Sequence, residues 1–217
     1  TIDMPSTGSG EWYNFTTLAP FTVTLPEGAC TLKLEAPGDC GNLDSLTIEQ
    51  AVEGEHYVSA MGSTKIEMED YAELDERARV EEFSTVDGSG ACLADLSNEG
   101  AFVSYNLRVA EAGDYRVVLR AANGWGNEIQ DMLDVYVDDT LQPDISVDLP
   151  PTGTGENPWH HYVDLDAFTI TLPAGACTLE FVSTGTCGNL DSLTLERVDP
   201  NEQAVSADGS TKIEAEA

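Results

Sequence analysis

The stretch Ala101-Phe102-Val103-Ser104-Tyr105-Asn106-Leu107 alternates apolar and polar side chains, which is the period of a half-buried β-strand. Short runs of the same kind are separated by glycine- and proline-containing turns. These runs are Lys65–Glu69, Tyr115–Leu119, Leu133–Val137, Phe168–Leu172, Thr178–Val182 and Leu190–Glu196. The only helix candidate, residues 73–82, has too few apolar positions for a buried helix face. The pattern therefore predicts an all-β fold, an antiparallel β-sandwich.

Blocks of this sequence repeat at one fixed offset of 147 residues. Cys30 returns as Cys177 within Gly-Ala-Cys-Thr-Leu, and Cys40 returns as Cys187 within Cys-Gly-Asn-Leu-Asp-Ser-Leu-Thr. The block Gly-Ser-Thr-Lys-Ile-Glu occurs at Gly62 and again at Gly209. Solenoid repeats are much shorter, whereas a period of this length suits a domain with its own core. We therefore expect tandem modules rather than one continuous solenoid.

The offset divides the chain into five segments. Residues 1–49 are expected to be the C-terminal half of a first module, and residues 62–198 a complete module. Residues 209–217 repeat the first strand of a module. The short polar segments 50–61 and 199–208 are predicted to be linkers. We interpret the chain as a piece of a longer array.

The charge of the chain narrows the class of partner. Nine Lys and Arg stand against 40 Asp and Glu, which gives a formal net charge of −31. Such a field repels nucleic acid phosphates and anionic membranes, and it suits divalent cations or neutral glycans. No apolar run approaches the ~20 residues of a transmembrane helix. We therefore expect neither nucleic acid binding nor membrane insertion.

The positions of the cysteines suggest disulfide bonds. Cys30 with Cys40, and Cys177 with Cys187, occupy equivalent places in two copies of the repeat. A disulfide within each pair is the simplest interpretation, and it implies an oxidising, extracellular environment. Cys92 is then either a small buried hydrophobe or a link to another chain. The sequence leaves the connectivity open, with Cys92 paired to Cys177 or to Cys187 as alternatives.

Short motifs follow one another through residues 62–198 in a characteristic order. They are Ile66-Glu67-Met68-Glu69-Asp70-Tyr71, Gly100-Ala101-Phe102-Val103-Ser104-Tyr105, Ala112-Gly113-Asp114-Tyr115-Arg116-Val117, Leu119-Arg120-Ala121-Ala122-Asn123, Trp159 near Tyr162, Leu172-Pro173-Ala174-Gly175 and Gly188-Asn189-Leu190-Asp191. In this order the module resembles the carbohydrate-binding modules of families 6 and 35. The resemblance implies a jelly-roll β-sandwich that is not catalytic and that binds polysaccharide or cell-surface glycan.

A metal site is predicted on the first strand. Glu67 and Glu69 are two residues apart, so both carboxylates emerge on one face while Ile66 and Met68 point towards the core. Their spacing of ~6–7 Å suits a hard cation that takes six to eight oxygen ligands. The resemblance supplies Asp191 as a third ligand and implies a structural calcium ion. The alternative is a solvated acidic face on an edge strand.

A sugar site is predicted in the loops at one end of the sandwich. Sugars stack their C–H faces on aromatic rings, and their hydroxyls need fixed polar partners. Trp125, with Asn123 nearby, and Trp159, with Tyr162 nearby, lie in polar, glycine- or proline-containing segments. The resemblance adds Asn189 as an amide that contacts ligand and places these loops together. The alternatives are that Trp159 or Tyr162 packs in the core and that Asn189 caps a turn.

Two departures from the family pattern predict a one-sided platform that binds weakly. Gly100 is followed by Ala101 rather than by an aromatic residue, and the stretch Ala91-Cys92-Leu93 lacks a further aromatic side chain.

No catalytic motif is found in the sequence, which has three histidines and no Ser–His–Asp order, HExxH helix or phosphate loop. The expected function is an extracellular, secreted or cell-surface array of sugar-binding modules that is stabilised by calcium and gains from avidity. The alternative is an extracellular filament or adhesive stalk in which neighbouring modules of the same protein assemble.

Overall fold

The computed structural model describes residues 13, 15, 18, 21, 23–36, 38, 40–48, 50, 52, 54–85, 88–153, 155 and 157–198. The chain divides into two units, residues 1–53 and residues 54–217. The predicted linker 199–208 and the predicted strand in residues 209–217 lie outside the described residues.

The described part of the second unit is built almost entirely from strands. They are β1 (Glu55–Val58), β2 (Ser63–Glu67), β3 (Glu73–Leu74), β4 (Arg79–Thr85), β5 (Gly88–Ala94), β6 (Phe102–Val109), β7 (Gly113–Ala122), β8 (Leu133–Val137), β9 (Thr140–Leu141), β10 (Val163–Asp164), β11 (Phe168–Leu172), β12 (Gly175–Ser183) and β13 (Asn189–Arg197). One short 3-10 helix spans Pro158–His160.

The strands form two sheets. The first sheet has the order β1-β6-β12-β8-β9, with β3 beside β6, and the second has the order β10-β7-β13-β5-β4, with β11 on β7 and β2 on β13. The described strand pairs are antiparallel except β1 with β6. The predicted β-sandwich is confirmed.

The core lies between the two sheets. It is filled by the inward-facing side chains of strands whose residues alternate between buried and more exposed positions. Val103, Tyr105 and Leu107 of β6 are buried, while their neighbours in the strand are partly exposed. Val117 and Leu119 of β7 are buried in the same way from the second sheet. Each such side chain contributes about 1.5–3 kcal/mol relative to an exposed position. These inward rows hold the sheets together and fix the position of the loops at their ends.

The predicted linker 50–61 contains a strand, so that prediction was wrong over part of its length. Glu55–Val58 forms β1, which pairs in parallel with β6 at the edge of the first sheet. Val58 is fully buried, and Glu55 accepts a hydrogen bond of 2.9 Å from Arg108 Nε. The run is only four residues long and does not alternate clearly, which is why periodicity did not reveal it.

The predicted disulfide between Cys177 and Cys187 is also wrong. Both are free, buried thiols. Cys177 is near the start of β12, and Cys187 follows the end of that strand at Ser183. Six strand residues advance the chain by ~20 Å, whereas disulfide-bonded Cα atoms lie within ~7 Å of each other. Cys187 instead contacts the Met132 sulfur at 3.9 Å.

Cys30 and Cys92 form no disulfide either. Cys30 is an exposed free thiol, so its predicted bond to Cys40 is not formed. Cys92 is a free thiol in β5 and is fully buried, as expected for a small hydrophobe.

In the first unit, no strand is formed among the described residues, although the repeat predicts strands there.

Candidate functional site

Three segments meet at one end of the second unit. The loop that begins at Asn123 leaves the end of β7, and β13 begins beside it because Asn189 pairs with Ala122. The third segment carries the short helix Pro158–His160. Asn189 Nδ2 donates a hydrogen bond of 3.3 Å to the Trp159 carbonyl, which ties this segment to β13. The loops predicted to form the sugar site are therefore adjacent.

Asn123 organises the first loop. Its side chain is fully buried, and its Nδ2 donates to the carbonyls of Asn127 at 2.7 Å and Leu149 at 3.2 Å. Its Oδ1 accepts a hydrogen bond of 2.9 Å from the Trp125 backbone N–H. Its own N–H donates to Thr152 Oγ1 at 2.8 Å. With both amide protons committed to the protein, Asn123 positions Trp125.

The two tryptophans form a right-angled corner. Their ring centroids are 5.3 Å apart and the interplanar angle is 89°. Trp125 is 59% exposed, whereas Trp159 is partly buried. A Cβ atom at Gly124 would stand 2.6 Å from the Trp159 ring, so that ring packs against the Gly124 backbone. We call the exposed ring of Trp125 together with the adjoining ring of Trp159 the tryptophan corner.

Tyr162 is not part of this corner. Its ring packs 4.9 Å from Phe83 and 6.5 Å from His160, and the Arg120 guanidinium lies 5.9 Å above it. The Tyr162 hydroxyl is buried against the Cys92 thiol, and burial raises the pKa of the tyrosine. Of the two aromatic residues considered for packing, Tyr162 packs over the sheet and Trp159 borders the corner.

Sequence reasoning missed two residues that shape the corner. Gly124 allows Trp159 to approach the loop, and Thr152 accepts the Asn123 backbone hydrogen bond. The two glycines that flank Trp125 were a signal for close backbone approach. The distant Thr152 carried no such signal, because its contact depends on tertiary structure.

The predicted metal ligands Glu67, Glu69 and Asp191 lie near the junction of β2 and β13, but they do not converge as a ready metal site. Ile66 and Met68 are buried as predicted. The Met68 N–H donates to the Asp191 carbonyl at 3.0 Å, which joins the two strands where Glu67 and Glu69 leave β2.

A β-bulge places Asp191. The register between β7 and β13 shifts from Leu190 opposite Ala121 to Ser192 opposite Arg120, so Asp191 has no partner in β7. The three-residue spacing between the buried side chains of Leu190 and Leu193 was the sequence signal for this break in alternation.

The carboxylates at this junction have different partners. Lys65 Nζ lies 2.8 Å from Glu67 Oε1, and Arg120 Nε lies 3.2 Å from Asp191 Oδ2. Glu69 Oε2 is buried without a hydrogen-bond partner. Burial, followed by repulsion from Glu67 and other neighbouring carboxylates, raises the pKa of Glu69. Burial also raises the pKa of Asp191.

The orphaned Glu69 oxygen fits a cation site, because a bound cation would satisfy it. In the described part of the chain, however, no group of three or more His, Cys, Asp or Glu side chains converges as a ready metal site. Glu67 is instead ion-paired with Lys65, and Asp191 with Arg120.

Among the residues that the structure describes, no helix is long and apolar enough to cross a membrane.

Comparison with known proteins defines the class. The model of the family described as carbohydrate binding module (family 6) matches residues 68–197, which is more than half of the chain. The chain belongs to this family of carbohydrate-binding modules.

Solved structures share the fold. A family 35 carbohydrate-binding module from Clostridium thermocellum is 16% identical with a TM-score of 0.52, and the match covers 63% of this chain and 99% of that chain. A family 35 module from Paenibacillus barcinonensis is 24% identical with a TM-score of 0.50, covering 62% of this chain and 99% of the other.

One curated relative is a 1,6-alpha-glucosyltransferase of Sporosarcina globispora, 39% identical over 94 residues. The match covers 43% of this chain but 7% of that protein, so the chain corresponds to a small part of it.

Proposed function

We propose that the tryptophan corner is the carbohydrate-binding site of this module. The observation that carries the proposal is the exposed Trp125 ring, held at 89° to Trp159 by a buried asparagine. An indole face 59% open to solvent offers the apolar surface that a pyranose C–H face needs. The loop hydrogen bonds fix this surface before ligand arrives, which reduces the entropy lost on binding.

The shape of the corner favours one sugar ring of a soluble chain. A pyranose that stacks on Trp125 lies beside the perpendicular Trp159 ring, so two rings border it. A flat crystalline surface needs several coplanar rings, which two perpendicular tryptophans do not provide. Weak binding per module follows from the small contact area.

The charge of the chain favours a neutral glycan. With a formal net charge of −31, the protein repels polyanionic chains such as polyuronates. Combined with the name of the 1,6-alpha-glucosyltransferase relative, this supports an α-linked glucan as the first ligand to test.

We also propose that the module itself has no catalytic role and works beside glycan-active domains or further modules of the same protein. Such modules gain by avidity when several bind one polysaccharide, because the second contact is intramolecular. Polysaccharides of this kind are met outside the cell, so an extracellular setting is part of the proposal.

A structural calcium ion at Glu67, Glu69 and Asp191 completes the proposal. Calcium takes carboxylate and carbonyl oxygens, and it would neutralise the repulsion that Glu69 experiences from Glu67 and Asp191. In this arrangement Glu69 supplies its unpartnered oxygen. The ion pairs of Lys65 with Glu67 and of Arg120 with Asp191 must loosen so that these two carboxylates also bind the ion.

The proposed sugar site is tested by titrating the chain with α-1,6-, α-1,4- and β-1,4-linked gluco-oligosaccharides in a calorimeter. Trp125→Ala should weaken binding of the preferred oligosaccharide at least about tenfold, equivalent to about 1.4 kcal/mol of lost stacking. Tyr136→Ala, on β8 away from the corner, is the matched aromatic control and should retain affinity. Equal affinity of Trp125→Ala and the parent chain would refute the assignment.

A further inference from the structure

The segment that carries Trp159 also contacts the second sheet through a histidine–glutamate pair. His160 follows Trp159 in the short helix, and its Nε2 lies 3.1 Å from Glu81 Oε1. The side chain of His160 is 16% exposed and that of Glu81 is 30% exposed, so water screens the pair only in part. Glu81 belongs to β4, the last strand in the order of the second sheet. The segment is therefore tied to β4 by His160 as well as to β13 by Asn189.

Two aromatic rings fix the imidazole of His160 beside Glu81. The Tyr162 ring is nearly parallel to the imidazole, with an interplanar angle of 14° and centroids 6.5 Å apart. The centroid of the Phe83 ring lies 5.6 Å from that of the imidazole. Glu81 and Phe83 are two residues apart in β4, so their side chains leave the strand on the same face. Turning the imidazole away from Glu81 would break this ring packing, so the position of the short helix depends on the contact.

Glu81 has a second partner, Arg79. Arg79 Nη2 lies 2.6 Å from Glu81 Oε2, and Arg79 also pairs with Asp95. The hydrogen bond from Arg79, assisted by that from His160, lowers the pKa of Glu81 below its usual 4.5, although burial opposes the shift. Glu81 therefore stays ionised from about pH 5.5 to about pH 8, and Arg79 is charged throughout that range.

Three further neighbours keep their charge state in this range. Burial raises the pKa of the Tyr162 hydroxyl and that of the Cys92 thiol, so both stay protonated. The Arg120 guanidinium, 5.9 Å from the Tyr162 ring, stays charged. Histidine is the side chain that ordinarily titrates between about pH 5 and 8. Among these groups, His160 is therefore the one whose charge changes.

We propose that Glu81 and His160 are positioning residues for the tryptophan corner, and that protonation of His160 strengthens their contact and fixes the Trp159 ring. The inference rests on the proposed sugar site, because Trp159 is one of its two rings. An imidazolium makes a charge-assisted bond to Glu81, whereas the neutral imidazole offers only the Nε2–H of one tautomer. Glycan affinity should therefore be about threefold higher at pH 5.5 than at pH 8.

The first test needs no sugar. The indole N–H signal of Trp159 is followed by nuclear magnetic resonance from pH 8 to pH 5.5, together with the ring C–H signals of His160. Both should shift with the same midpoint. His160→Gln should remove the movement at Trp159, because glutamine does not titrate. His161→Gln is the matched control and should keep it, since His161 is the exposed neighbour in the chain.

The second test is calorimetric titration with the preferred gluco-oligosaccharide at both pH values. The parent chain and His161→Gln should show the difference of about threefold. His160→Gln should bind equally at the two pH values and keep the affinity of the parent chain at pH 8, because the glutamine amide can still donate to Glu81. His160→Ala should bind more weakly than His160→Gln at both pH values.

Two results would overturn the inference. One is an equal pH-dependent movement of the Trp159 signal in the parent chain and in His160→Gln. The other is a parent affinity that does not change with pH while His160 titrates. If none of the oligosaccharides binds, the proposed sugar site fails, and the titration without sugar still decides whether His160 positions Trp159.

Discussion

The ring of Trp159 lies so close to Gly124 that a Cβ atom at this glycine would stand 2.6 Å from it. The contact sets the distance between the loop that carries Trp125 and the segment that carries Trp159. The tryptophan corner therefore depends on the absence of a side chain at Gly124.

Gly124→Ala should open the tryptophan corner. The added methyl group must displace the indole of Trp159, so the perpendicular contact with Trp125 is lost and glycan affinity falls by about tenfold. Asn127→Ala is the control in the same loop, because only the backbone carbonyl of Asn127 holds Asn123. Near-ultraviolet circular dichroism should change in the glycine variant and not in the control. Unaltered spectra and affinity in Gly124→Ala would show that the ring has room to shift.

Asn123→Ala should destabilise the fold as well as the site. The change leaves the buried carbonyls of Asn127 and Leu149 without their donor and removes the acceptor for the Trp125 N–H. Loss of a buried hydrogen-bonding group costs about 1–3 kcal/mol in the free energy of unfolding. Urea denaturation measures this directly. A cost below about 0.5 kcal/mol would contradict the role of Asn123 as the anchor of the loop.

Glu69 should make the free energy of unfolding fall as pH rises. An ion-paired carboxylate has the opposite effect. Its pKa is raised above the usual 4.5, so the folded state holds the proton more tightly than the unfolded state does. The stabilisation is complete below pH 4.5 and is lost as pH rises through the raised pKa. In chelator, Glu69→Gln should therefore raise the melting temperature at pH 7 and leave it nearly unchanged at pH 4.

In the parent chain, added calcium should offset the stability that is lost when Glu69 ionises. It binds the ionised carboxylates, so added calcium should raise the melting temperature at pH 7 far more than at pH 4. Glu69→Gln should lose the calcium response, while Glu128→Gln, at an exposed site near Trp125, should keep it. A calcium response of equal size in both variants would exclude Glu69 as a ligand.

The thiols provide a test of the corrected cysteine assignment. Burial raises the pKa of Cys177 to about 11 and that of Cys187 to about 12, so few thiolates are present at pH 8. A thiol reagent should modify exposed Cys30 rapidly, and Cys92, Cys177 and Cys187 only after unfolding. A reducing agent should leave the melting temperature unchanged. A lowered melting temperature on reduction would restore the disulfide interpretation.

The β-sandwich could be predicted because the alternation of apolar and polar residues is a local property of the sequence. The folded strands keep the same alternation of buried and exposed side chains. The rows around Tyr105 and Val117 face inward as their sequence period requires. The β1 strand was missed because parallel pairing with β6 is a long-range contact that leaves no period in four residues. The Cys177–Cys187 pairing failed because equivalent places in a repeat do not show that a strand separates the two cysteines in space.

The candidate site was predicted in part. Trp125, Trp159 and Asn189 meet as expected, because loops at one end of a sandwich converge wherever the strands end. The role of Asn123 as an anchor depends on Leu149 and Thr152, which are far away in sequence. Such hydrogen bonds are decided by tertiary packing, so composition and spacing could not reveal them.

The most direct test of the account is a titration of the isotope-labelled chain with the preferred gluco-oligosaccharide, followed by nuclear magnetic resonance of the indole N–H groups. The signals of Trp125 and Trp159 should shift together in a saturable way, and Trp125→Ala should remove the response at Trp159. Sugar-induced shifts confined to residues outside the corner, with both indole signals unmoved, would contradict it.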